Sequence, residues 1–169
     1  TYSKEELVNI FFKYGEEKRS REIANGIIRY REEKKIERTL ELVEIIKKSV
    51  GANYFYKTHP EREIFQAIRI EVNNELVSIE KALRAAIKKL KKGGRICVIT
   101  FHSLEDRIVK NAFREYCTGC TCPPDFPVCV CGKKPRAVLV NKKPIEADEK
   151  ELEENPRSRS AKLRILEKL

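Results

Sequence analysis

Gly93-Gly94-Arg95-Ile96-Cys97-Val98-Ile99-Thr100-Phe101-His102-Ser103-Leu104-Glu105-Asp106-Arg107 reads as the end of one helix, a strand, a sharp turn and the start of the next helix. The glycine pair follows a long apolar-periodic run and supplies the left-handed residue that closes a helix. Residues 96–101 are a short, continuous apolar run with β-branched side chains, the pattern of a strand covered on both faces in a parallel sheet. Ser103 is placed to cap the following helix, with Glu105 and Asp106 in its positive first turn. Leu104, Ile108, Ala112, Phe113 and Tyr116 continue as one apolar stripe. Thr100, His102, Ser103 and Asp106 therefore collect at the carboxyl end of a strand, where open α/β sheets place ligands.

Upstream of this stretch the pattern is helical. Ser3-Lys4-Glu5-Glu6 is a capping box, and Leu7, Ile10, Phe11 and Tyr14 form a stripe that ends at Gly15. A second helix is expected over 17–33, where Gly26 marks close helix packing, and a third begins at Thr39 and stops at Gly51. Residues 1–58 read as a helical bundle and 59–169 as an α/β region. The aromatic and basic residues of 52–59 suit either stacking on unpaired nucleotides or plugging a domain seam. Pro60 starts a run whose apolar residues step by three and four up to Gly93, too long for one ordinary helix, so a break is expected near 74–79. Downstream come a cysteine loop over 117–132, a strand over 136–140, a short acidic helix that ends before Pro156, and a last strand over 161–166.

Bulk composition narrows the partners. Lys and Arg number 36 against 26 Asp and Glu, and the net charge of +10 favours a polyanion, nucleic acid ahead of an anionic membrane. No apolar run is long enough to span a bilayer and no signal peptide is visible, so a cytoplasmic protein is expected. The chain has no Met, which leads to the expectation of a fragment. Cys117, Cys120, Cys122, Cys129 and Cys131 fall in one loop, as two close knuckles around a Pro-rich turn. That spacing fits a structural zinc site or a set of free thiols. Asn155-Pro156-Arg157-Ser158-Arg159-Ser160-Ala161-Lys162 is basic and rich in small hydroxyls, which suits backbone phosphates. Read as extended, the segment turns Arg157 and Arg159 to one side.

Four segments carry a resemblance: the stretch 93–107; Tyr14-Gly15-Glu16-Glu17 with Ile23-Ala24; Phe65-Gln66-Ala67-Ile68-Arg69-Ile70 leading into Val72-Asn73-Asn74-Glu75-Leu76; and Lys143-Pro144-Ile145 ahead of Glu154-Asn155-Pro156-Arg157-Ser158-Arg159-Ser160-Ala161-Lys162-Leu163-Arg164. In order and content they resemble the bacterial 16S rRNA cytosine-N4 methyltransferases that act at the decoding site, in that family's carboxyl-terminal portion. The resemblance implies an α/β chain: the last three strands of a seven-stranded, Rossmann-like class I S-adenosylmethionine-dependent methyltransferase sheet, the final one antiparallel, plus part of an inserted helical substrate-recognition domain. It implies S-adenosylmethionine as donor, with the glycine-rich donor loop upstream and no donor ligand among these residues. It implies attack of a flipped-out cytosine amine on the sulfonium methyl, with His102 and Ser103 as a pocket wall. RNA contact is then expected from Arg69, Asn73, Arg107, Asn155, Arg157, Arg159, Ser160 and Lys162, the partner being 16S rRNA in the small ribosomal subunit. Strand 96–101 would leave an apolar edge, from which self-association as a homodimer is expected. The alternative from another class is a small zinc-binding RNA-binding module without catalysis.

Overall fold

A computed structural model of the chain describes residues 2–123 and 128–169. They fall into two compact units, Thr1–Glu75 and Leu76–Leu169. The first contains α1 (Lys4–Gly15), α2 (Ser20–Glu33), α3 (Thr39–Val50), α4 (Ala52–Thr58) and α5 (Pro60–Asn73). The expected division at 58/59 lies one helix earlier than this one, because α5 packs along α1.

Local signals account for most of the helical unit. Ser3 Oγ accepts the Glu6 amide at 3.3 Å, and Glu6 returns the bond to the Ser3 amide at 2.7 Å, which completes the capping box. Gly15 does not provide the left-handed residue after α1; Glu16 does, at φ 52°. Gly15 serves another need. A Cβ there would meet the Glu63 carbonyl oxygen at 2.9 Å, so its bare backbone lets α1 lie against α5. Gly26 has the packing role expected of it, since a Cβ would collide with Ser49 on α3. Phe11, Ile23, Ala24, Ile46, Ile64 and Ala67 form the dry centre. The aromatic stretch 52–59 is a two-turn helix. Phe55 is buried, Tyr54 donates to the buried Glu17 at 2.7 Å beneath the Arg19 guanidinium, and Tyr56 stays exposed.

The second unit holds α6 (Glu75–Lys89), β1 (Arg95–Thr100), α7 (Ser103–Cys117), β2 (Ala137–Leu139), β3 (Ile145–Glu146), α8 (Glu149–Glu154), a 3-10 turn Pro156–Ser160 and β4 (Lys162–Lys168). The expected break in the long run falls at Asn74, which is left-handed at φ 51°. The sheet runs in the order β1-β4-β2, with β3 also on β4. Every ladder is antiparallel, with Thr100 opposite Lys162 and Leu139 opposite Leu166.

Among the described residues β4 lies between β1 and β2. Two expectations need correction. The observed sheet is antiparallel, not the parallel sheet that the apolar run of β1 suggested. β1 is also not covered on both faces: Ile96 and Val98 pack under α7, while Cys97 is exposed and Ile99 is 59% exposed. Cys97 pairs with Ile165 and Ile99 with Leu163, so this second face is apolar across two strands.

β4 holds the helices on the covered face. Leu166 is fully buried with Val109, Phe113, Ala137 and Ile87. Its same-face neighbours are cationic, and both are engaged. Arg164 donates two bonds to Asp106 on α7, at 2.7 and 2.9 Å. Lys168 Nζ donates to the carbonyls of Ile87, Lys88 and Leu90 and so closes the end of α6. Arg95, at the start of β1, meets Glu167 on β4 at 2.7 Å. No helix among the described residues is long and apolar enough to cross a membrane.

The Arg164 guanidinium holds the Asp106 carboxyl below its ordinary range. A carboxyl depressed by folding contributes stability above its unfolded pKa of about 3.9, and that contribution is lost as pH falls through the lower folded value. Asp106→Ala strands a largely covered Arg164 and should cost about 3 kcal/mol at neutral pH, with a flatter acid limb of the stability curve. Arg95→Ala removes an exposed pair and should cost less than about 1 kcal/mol. Urea unfolding at several pH values checks both.

Candidate functional site

The site grows from the junction of β1 and α7. His102, not Ser103, is the N-cap of α7; its Nδ1 accepts the Glu105 amide at 3.4 Å. Glu105 answers by accepting the amides of Phe101 at 2.8 Å and His102 at 3.4 Å. Ser103 is thereby the first helical residue, exposed on the turn. The His102 side chain is only 11% exposed. With Nδ1 accepting, the neutral ring carries its proton on Nε2. That nitrogen lies 3.3 Å from Glu105 Oε1 without the angle of a hydrogen bond, and is buried with no hydrogen-bond partner among the described residues.

Strand pairing brings the second element alongside. The Thr100 hydroxyl donates to the Lys162 carbonyl at 3.3 Å, and Lys162 begins β4 directly after the turn Pro156–Ser160. His102 and the Asn155–Lys162 segment therefore share one end of the sheet. The segment is not extended. Asn155 ends α8, its carbonyl accepts the Ser158 amide and hydroxyl at 2.9 and 2.8 Å, and Ser158 is buried. In a 3-10 turn, residues two apart differ by about 120° in direction, so Arg157 and Arg159 spread rather than face one way. Both are exposed, and neither pairs with the acidic helix before them; Lys150 takes Glu154 at 4.0 Å. Ser160 is exposed, and Lys162 Nζ lies 3.7 Å from Glu146. Arg107 is exposed on the first turns of α7.

Arg69 and Asn73 belong to the helical unit, at the end of α5. Arg69 binds Glu75 with two bonds, at 2.8 and 3.2 Å, and Asn73 reaches the same carboxylate at 3.1 Å. A cleft of about 330 Å³ in the α/β unit is lined by Arg84, Ile87, Lys88, Tyr116, Arg136 and Lys168. Most of its cations are already committed: Arg84 to Glu80 and Glu115, Lys168 to helix carbonyls, and Arg136 over the Tyr116 ring.

The cysteines separate into two groups. Cys117 ends α7, packs against the apolar core, and has its thiol pushed up by that burial. Cys120, Cys122, Cys129 and Cys131 bring their sulfurs within 4.8 Å of one another. Most of the Pro-rich turn between the knuckles, 124–127, lies outside the described residues. The amides of Thr121 and Lys133 hold the Cys131 thiol down at about 5. The Cys122 amide lowers Cys120, but neighbouring thiols outweigh it and push Cys120 up to about 11.

Sequence reasoning missed Arg164 as the partner of Asp106 and Lys168 as the closure of α6 at the opposite end of β4, and gave Glu105 only a place in the first turn. The period-2 alternation of β4 around Leu166 was the available signal for Arg164 and Lys168.

These features define a class: a helical unit joined to an α/β unit whose strand ends carry a buried imidazole and an exposed basic turn. The MraW methylase family profile matches residues 1–169, and the chain belongs to that family. It is 54% identical to ribosomal RNA small subunit methyltransferase H of Carboxydothermus hydrogenoformans, over 100% of this chain and 54% of that protein. It is likewise 54% identical to the protein of the same name from Clostridium botulinum strain Loch Maree, over 100% of this chain and 55% of that protein. The Pelobacter propionicus protein of that name is 55% identical over 97% of this chain and 53% of its own length. The chain thus spans about half the length of the curated relatives it matches. Membership in a methylase family does not favour the alternative of a zinc module without catalysis.

The cap assignment has a measurable consequence. His102→Ala should lose about 0.5–1 kcal/mol of unfolding free energy, whereas His102→Asn, which retains a capping acceptor, should stay within about 0.5 kcal/mol of the parent. Chemical denaturation of the two variants side by side checks this.

Proposed function

We propose that this chain works in the N4-methylation of a decoding-site cytosine of 16S rRNA, with S-adenosylmethionine as methyl donor and the small ribosomal subunit as partner, in the cytoplasm. The observation that carries the reading is the alignment of the whole chain with proteins named ribosomal RNA small subunit methyltransferase H. The strand order adds support: β1 and β2 are both antiparallel to the β4 between them, as at the end of a Rossmann-like class I methyltransferase sheet. In this reading the helical unit, with α5 added to the expected residues 1–58, belongs to an inserted substrate-recognition domain, and the α/β unit, from Leu76 onward, to the methyltransferase domain. The uncovered apolar face of β1 and β4 is the surface through which a homodimer would form.

In this reading the methyl donor takes its ligands from outside these residues. The glycine pair of the α/β unit precedes β1, and its amides are spent: Gly93 on the Lys168 carbonyl at 2.7 Å and Gly94 on that of Lys91 at 2.9 Å. They offer nothing to a nucleoside or a carboxylate. What the chain contributes is reception of the RNA. The divergent Arg157 and Arg159 reach phosphates on either side of one nucleotide, with Ser160, Asn155 and Lys162 beside them and Arg107 on the adjacent helix. Arg69 and Asn73, held by Glu75, form a preset polar pair for the RNA on the helical unit. His102, fixed as the cap of α7, and the neighbouring exposed Ser103 form the pocket wall beside the extruded base. Rate then comes from alignment of the base more than from proton transfer.

Arg157→Ala with Arg159→Ala should weaken binding to small subunits, and each lost phosphate contact should flatten the log–log salt dependence by about 0.7–0.9. An unchanged slope removes the turn from the interface. In the protein that carries this chain, His102→Asn should lower transfer of labelled methyl to 16S rRNA by roughly 10–100-fold while stability holds. Unchanged turnover removes the imidazole from the pocket.

A further inference from the structure

We infer that Cys120, Cys122, Cys129 and Cys131 are a four-thiolate site for a single zinc ion, and that Cys117 is not part of it. The sulfur of Cys120 lies 3.3 Å from that of Cys129 and 3.7 Å from that of Cys131, and Cys129 and Cys131 are 3.6 Å apart. Zinc bound to sulfur at about 2.3 Å in a tetrahedron has sulfur–sulfur edges of about 3.8 Å, close to the spacing of Cys120, Cys129 and Cys131, and Cys122 brings the fourth sulfur within 4.8 Å of them. All six cysteines of the chain are free thiols. The Cys122 amide points at Cys120 Sγ at 3.4 Å, an N–H···S contact that stabilises negative charge on a ligand sulfur.

The loop needs such a tie. Between α7 and β2 the described residues form no helix or strand, and Val128 and Val130 are exposed, at 70% and 74%. The feet of the loop are fixed: the Arg136 amide donates to the Tyr116 carbonyl at 2.9 Å, and Arg136 covers the Tyr116 ring. Between Cys117 and Arg136 none of the described residues belongs to an apolar core. Four thiolates around one divalent ion order this stretch directly, since the binding free energy is paid into the ordering of the loop. The resulting charge of −2 sits beside Lys133 and Lys134. Soft sulfur donors in a tetrahedral array select zinc over hard cations. Cys117 stays out because its sulfur belongs to the apolar core under α7.

The test is elemental analysis of the chain purified without chelator, paired with cobalt exchange. One zinc per chain is expected, together with the d–d absorption of a tetrahedral cobalt–thiolate centre after exchange. Cys120→Ser and Cys129→Ser should reduce bound zinc to background, while Cys117→Ser and Cys97→Ser should leave it unchanged. Removing zinc from the parent chain with a mercurial and chelator should open the loop to trypsin at Lys133 and Lys134 and leave the melting of the α/β core nearly in place. That measurement holds even if a serine variant fails to fold. Absence of metal with all four thiols freely titratable overturns the site. So does loss of zinc in Cys117→Ser, iron in place of zinc, or a tryptic pattern that zinc removal does not change.

Discussion

The bidentate pair between Asp106 and Arg164 is the constraint on which the α/β unit depends. It joins the first turn of α7 to the middle of β4, the strand that pairs with β1, β2 and β3. A cation on the covered face of a sheet is tolerated only when a partner meets it there, and β4 has two such cations on either side of Leu166. Arg164 satisfies itself on α7, and Lys168 on the last carbonyls of α6. One face of one strand thus sets the position of both helices. The same register places Thr100 opposite Lys162 and so puts the basic turn beside the imidazole of His102.

Elements that depend on neighbours in sequence were legible. The capping box at Ser3, the closure of α5 at Asn74, the stripe of α7 and the acidic helix ahead of Pro156 are all fixed within a few residues. Pairing was not legible, because nothing local in 96–101 tells whether a parallel or an antiparallel neighbour will take it. The continuous apolar run suggested cover on both faces, and the structure leaves Cys97 and Ile99 exposed on one. Its apolarity describes a surface suited to cover, which differs from a surface that is covered.

The site was legible in part. His102 stood out by its place after a strand, but Ser103 drew the capping role because hydroxyls cap more often than imidazoles. The reach of Arg157 and Arg159 was misread because Pro156 looked like a stop and not a start. Proline fixes φ near the helical value, so it ends α8 and opens a 3-10 turn in the same place. The Arg69–Glu75 pair depends on the left-handed backbone of Asn74, a conformation that asparagine adopts more readily than most residues.

The two ends of α7 separate two kinds of order. The helix has 15 residues, so at 1.5 Å per residue it is about 22 Å long, with His102 before its first residue and the thiol knuckles beyond its last. An ion held by Cys120, Cys122, Cys129 and Cys131 cannot touch a base at the other end. It acts on the loop, and through the loop on whatever surface the loop presents. The α/β unit for its part has a core independent of the metal, with Leu83, Ile87, Val109, Phe113, Ala137 and Leu166 buried together. Each of the larger side chains among these contributes about 1.5–3 kcal/mol. The four cysteines thus lie beyond one end of α7, and the candidate site at the β1–α7 junction lies at the other.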